Sequence, residues 1–117
     1  MDIESFRKYC LSKFAATEDT PFDDITLCFK VGGKIFAIID IASFECVNLK
    51  CDPEKAVELR EQYQAVNPGF HMNKKHWNTI YFHQDLNDAA IFDLVDHSYD
   101  LIFQKLPKKF KEDQRST

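Results

Sequence analysis

The sequence predicts an α+β domain of two layers, a five-stranded antiparallel sheet covered by helices in the order α-β-β-β-α-β-β-α. Three observations predict it. Near both ends of the chain apolar residues recur three and four positions apart, which is the helical period. Between residues 25 and 51 the period falls to two, the signature of strands with one buried face. Short links, Gly32-Gly33 above all, join those strands into a meander whose exposed apolar face the terminal helices can cover.

A chain of 117 residues fits a single domain, here residues 1–107, followed by a polar tail over 108–117. Hydrophobic residues make up 44% and aromatics 14%, enough for one core, and eleven phenylalanines predict a core filled by a few large side chains. Three glycines and four prolines leave no long disordered linker. No apolar run approaches the roughly 20 residues that span a bilayer, and the N-terminus lacks the layout of a signal peptide, so the chain is read as cytoplasmic. Cys10, Cys28, Cys46 and Cys51 form no Cys-x-x-Cys pair and are read as buried free thiols rather than as a zinc module.

Taken in order, Asp2 caps a first helix whose stripe is Ile3, Phe6, Cys10 and Phe14. Residues 17–24 end it and form an acidic loop, solvated because no glycine-turned calcium loop is present. Ile25 to Val31, Lys34 to Ile41 and Glu45 to Cys51 are three strands; the last places Val47, Leu49 and Cys51 on one face and Cys46, Asn48 and Lys50 on the other. Asp52-Pro53-Glu54 is a helix start, with a capping carboxylate, proline at the first position and an acid near the positive end of the dipole. That helix turns Ala56, Leu59 and Tyr63 inward and ends before Pro68. Asp85 or Asn87 caps the last helix, whose face of Ile91, Leu94, Val95, Ser98, Ile102 and Leu106 runs to Pro107. The first and last helices are expected on the same side of the sheet.

The most distinctive stretch is Pro68-Gly69-Phe70-His71-Met72-Asn73-Lys74-Lys75-His76-Trp77-Asn78-Thr79. It holds the single tryptophan, two of the four histidines and no acid, in a chain of net charge -4. Turn formers at both ends and alternating bulky and polar side chains predict a strand, a short exposed turn and a second strand over Thr79 to Phe82. Trp77 is expected to be mostly buried, with His76 and Asn78 pointing the other way. Charge is uneven: residues 1–67 carry 8 Lys+Arg against 12 Asp+Glu, residues 68–117 carry 7 against 7. An acidic chain is a poor general binder of nucleic acid, yet salt screens distant charge over about 8–10 Å, so a local basic patch can act alone.

Lys34-Ile-Phe-Ala-Ile38, Leu49-Lys-Cys-Asp-Pro-Glu54, the long block from Pro68 to Thr79, Asp96-His-Ser-Tyr99 and Leu106-Pro107 together resemble the MmcQ/YjbR family of small bacterial proteins. The resemblance runs from about residue 2 to 107, and the block ending His-Trp-Asn-Thr is its most specific part. It implies the same element order in a two-layer fold likened to frataxin and to type III secretion chaperones. It also implies the family label of a double-wing DNA-binding protein, the wings being hairpins, with no enzymatic activity and no cofactor.

Three readings compete. In the first, double-stranded DNA is gripped: Lys74 and Lys75 pair with phosphates, Asn73, His76 and Asn78 hydrogen-bond to backbone or base edges, and Lys34 is the matching contact on the other wing. In the second the chain is a chaperone- or adaptor-like module that takes a protein partner on a helix face or sheet edge. In the third, His71, His76 and His83, with Tyr81, converge on a small molecule or a metal, although no carboxylate or thiol stands at ligand spacing to complete a metal site. No serine-histidine-acid order and no phosphate-cradling glycine loop is present. No membrane partner is expected, and the chain is read as a monomer or weak dimer.

Overall fold

The computed structural model describes residues 1–69 and 72–115, the last three of these by their backbone alone. Its elements are α1 (Ile3–Leu11), β1 (Thr17–Asp19), β2 (Thr26–Val31), β3 (Lys34–Asp40), β4 (Cys46–Lys50), α2 (Pro53–Gln62), β5 (Val66–Pro68), β6 (Trp77–Tyr81), α3 (Asp88–Gln104) and α4 (Lys108–Arg115). The strands form one antiparallel sheet in the order β1-β2-β3-β4-β6-β5. The α+β class and the antiparallel sheet agree with the sequence reading; the sheet has six strands rather than five. The added strand, β1, lies in the acidic stretch read as a loop. Thr-Glu-Asp has little intrinsic strand preference. Two ion pairs hold it there, Glu18 with Arg7 of α1 and Asp19 with Lys30 of β2 at 3.1 Å.

The helix starts follow the predicted chemistry. Asp2 Oδ1 accepts from the Ser5 N–H, Asp52 Oδ2 from the Lys55 N–H and Asn87 Oδ1 from the Ala90 N–H. Asn87 is therefore the cap of α3. Asp85 instead accepts the Gln64 and Ala65 N–H groups, tying the link after α2 to the link before α3. α1 is shorter than its stripe implied: it stops at Leu11, and Phe14 lies beyond it, 46% exposed. The stretch expected as a frayed tail is helical from Lys108 to Arg115, because Phe110 packs against the core and Lys111 Nζ donates to the Gln104 carbonyl.

The main core lies on one side of the sheet, with Cys28 buried on the other. Leu27 and Phe29 of β2 stand opposite Ile39 and Ala37 of β3, which stand opposite Val47 and Leu49 of β4, and Val47 faces Ile80 of β6. Phe6 of α1 meets Phe29 edge-on at 5.8 Å, and Tyr99 of α3 meets Phe36 at 5.2 Å, so the first and last long helices share this face as expected. A bulge opposite Phe29 and Lys30 lets the consecutive residues Phe36 and Ala37 both be fully buried. Ser98 fastens α3 to two strands, donating to the Phe36 carbonyl and accepting from the Lys50 N–H. Gly32 turns the β2–β3 hairpin at φ +59°, and a Cβ there would lie 2.6 Å from Leu106, so the hairpin tip is seated directly on the end of α3.

Candidate nucleic-acid interface

The strand registers sort the connections to two ends of the sheet. At one end lie residues 12–16, 32–33, 51–52, 69, 72–76 and 105–107, whose charged members are Lys13, Lys74, Lys75, Lys105 and a single acid, Asp52. At the other lie 20–25, 41–45, 63–65 and 82–87, which carry Asp23, Asp24, Glu45 and Asp85 and no lysine or arginine. Over these connections the charge is thus divided into a basic end and an acidic end, although Lys13 is paired with Asp96 and Glu54 and Glu58 of α2 line a groove with Lys75.

The basic end is assembled from distant parts of the sequence. Lys34 leaves the β2–β3 turn, Lys50 ends β4 and Lys105 follows α3. Burial, then the ammonium groups of Lys105, which is within hydrogen-bonding reach, and of Lys34, hold the Lys50 pKa below the usual lysine value. None of the three is ion-paired with a carboxylate among the described residues. Beside Lys50 comes Trp77, its register partner on β6, and the Cys51 N–H donates to the His76 carbonyl at 2.8 Å. The Lys74-Lys75 turn therefore hangs from the same strand end that carries Lys50. Lys34, Lys74 and Lys75 are all exposed.

The turn itself is built by three devices. Asn73 Oδ1 accepts the Lys75 N–H at 2.9 Å, and the Asn73 carbonyl accepts from Trp77 and His76, which closes a tight turn. Gly69 admits the returning strand, since a Cβ there would lie 2.8 Å from that of Trp77. Arg60 of α2 is the brace: Nε donates to Asn78 Oδ1 at 2.7 Å, and its terminal nitrogen donates to the carbonyls of Lys74 and Trp77. Sequence reasoning missed Arg60, Lys50 and Lys105. The available signal was their position, one in the last turn of a helix and two at the ends of elements.

Other expected site residues take different places. Asn78 is 1% exposed, faces the core opposite Leu49 and is consumed by Arg60, so it does not reach a phosphate or a base edge. Its Nδ2 has no partner among the described residues, and the residue lines a small cavity of about 10 Å³ with Leu94 and His97. Trp77 is half-buried on the other face of the sheet, so the alternation holds with Asn78, not the indole, directed inward. Strand six runs Trp77 to Tyr81, and Phe82 falls outside it. His76 and His83 do not converge: β6, five residues at about 3.3 Å each, stands between them. His71 lies outside the described residues. Among the described residues no group of three His, Cys, Asp or Glu is placed to hold a metal, and no helix is long and apolar enough to cross a membrane.

A two-layer α+β domain with one bare sheet face and a lysine-rich end is thus the class that fold and site define. Comparison with known proteins places it further. The YjbR family model matches residues 11–101. The Escherichia coli K12 protein YjbR is 36% identical over 110 residues, 93% of each chain, and the Escherichia coli O157:H7 protein YbdF is 37% identical over 90 residues, 76% of this chain and 74% of that one. Among solved structures, Deinococcus radiodurans protein DR2400, of the domain family DUF419, superimposes with a TM-score of 0.89 at 34% identity, over 96% of this chain and 86% of that one. A Pseudomonas syringae protein superimposes with a TM-score of 0.72 at 26% identity, over 87% of this chain and 99% of that one. The chain belongs to the YjbR family. The descriptions of these relatives assign them no activity.

Proposed function

We propose that this protein binds the phosphate backbone of double-stranded DNA with the basic end of its sheet. Lys34 on one hairpin and Lys74 and Lys75 on the other are the two wings, and Lys50 and Lys105 fill the space between them. The observation that carries the reading is the convergence of Lys34, Lys50 and Lys105 from three separate elements at one end of the sheet, none of them ion-paired with a carboxylate among the described residues. Packing like charges costs stability, and a polyanion would recover that cost. Asn73 shapes the turn and Asn78 is internal, so neither is assigned to base reading, and the binding is expected to be largely indifferent to sequence.

A protein partner joined through a sheet edge is the weaker alternative. Both edge strands are three residues long; β1 carries two acids and β5 ends in Pro68, features that discourage strand addition. The test is fluorescence anisotropy with a labelled duplex at low salt, using the wild type, K34E/K105E and, as a control at the opposite end, D23N/D24N. Binding by the wild type and the control, lost in K34E/K105E, supports the reading. Equal binding by all three, or none by the wild type, rejects it.

A further inference from the structure

The face of the sheet turned away from the helices is not flat. It carries a trough of about 520 Å³ whose floor includes Ile35, Ile38, Cys46 and Asn48. Phe22, from the connection at the acidic end, and Met72, from the connection at the basic end, also line it. Phe22 is 70% exposed, an unusual position for a phenylalanine on a surface with nothing over it. Volumes of roughly 300–1,000 Å³, mostly apolar and with few polar groups, are typical of small-molecule sites.

Two polar side chains of the trough are engaged within the chain. Asn48 Oδ1 accepts from the Thr79 hydroxyl, and the Thr26 hydroxyl donates to Asp23 Oδ2 at 3.0 Å. Asp40 is the one charged residue of the lining. Its Oδ1 accepts the Ala42 and Ser43 N–H groups at 2.8 and 3.0 Å, whereas Oδ2 has neither donor nor cationic partner among the described residues. We propose that the trough binds a small organic cation, an apolar alkyl or aryl body carrying a protonated amine, with the body over Ile35 and Ile38 and the amine on Asp40. Charge nearby favours that sign. The thiol of Cys46 is pushed up by burial and then by Glu45 and Asp40, with no cation acting on it. An anionic amphiphile of the same body would meet those carboxylates unpaired.

The test is methyl NMR of the full chain, following Ile35, Ile38 and Met72 while decylammonium, decanol and decanoate are added separately below their micelle concentrations. Decylammonium should shift all three methyls and bind about tenfold more tightly than decanoate, the discrimination expected of one half-buried charge. D40N keeps the Oδ1 acceptor for the turn, which unchanged Ala42 and Ser43 amide signals would verify, and should bring decylammonium and decanoate within about threefold of each other. Ile38→Gln, at a half-buried position, should weaken decylammonium and decanol alike. Decanoate or decanol binding as tightly as decylammonium, an unchanged preference in D40N, or shifts confined to other methyls would overturn the proposal.

Discussion

The two ends of the sheet differ in charge, and they also differ in how their loops are held. At the acidic end an aromatic cluster adds to the backbone bonds that Asp23, Asp40 and Asp85 accept. Phe44 and Phe82, each from a connection there, pack with tilted rings at 4.5 Å, and Phe6 of α1 reaches both at 5.9 and 6.1 Å. At the basic end the fastening is polar, with Arg60 bonded to Asn78 and to two carbonyls of the lysine turn, and His97 Nε2 accepting the Asp52 N–H at 3.1 Å. Aromatic packing suits an end whose connections supply two phenylalanines to the core and whose carboxylates accept from the chain's own backbone. The lysine turn has few apolar side chains to bury, so backbone hydrogen bonds to a side chain from α2 must fix it. The difference teaches that an interface can be built at the polar end without asking the core to change.

Breaking the aromatic end should cost the most. Phe6 is fully buried against Phe29, Phe44 and Phe82, so Phe6→Ala should lower stability by about 3–5 kcal/mol in urea unfolding. Duplex affinity of the fraction still folded should stay close to wild type, because the lysines are elsewhere. Breaking the polar end comes next. Arg60→Met removes three hydrogen bonds and leaves the buried Asn78 amide without its partner, which should cost about 1–3 kcal/mol. Here affinity should fall as well, through loss of the turn's shape, and Arg60→Lys should restore stability only in part because lysine lacks the planar fork.

The smallest effect sharpens the comparison through pH. Burial first, then Lys55, hold His97 below the ordinary histidine range, against the opposing carboxylates of Asp52 and Asp100. The unfolded chain therefore takes up this proton at a higher pH than the folded one. The contribution is complete above about pH 6.5 and is lost as pH falls through the folded value. Unfolding followed from pH 7 to 5 should show a smaller loss of stability for His97→Gln than for wild type. The same slope in both would remove His97 from the fastening of this end.

Much of the fold could be read from the sequence because its signals are local. The alternation through β2, β3 and β4, the Gly32-Gly33 turn, and the caps at Asp2 and Asp52 each lie within a few residues of what they determine. β1 was not legible, since its three residues are held by Arg7 and Lys30 rather than by any period of their own. The helical tail was hidden because, among the described residues, a single side chain, Phe110, ties it to the core. The site was half legible. Lys34, Lys74 and Lys75 are conspicuous beside turns, but Lys50 and Lys105 are single residues whose meeting depends on β4 and α3 ending at the same edge. Asn78 misled for the opposite reason: a polar residue in a basic stretch reads as surface, and only the register with Leu49 turns it inward.

The central claim is that the basic end holds phosphates, and a salt titration of duplex binding tests it most directly. Five lysines acting together predict a slope of log affinity against log salt of about -4.5, and Lys74→Ala with Lys75→Ala should reduce its magnitude by about two. A slope near zero, or one that the double substitution leaves unchanged, would contradict the account.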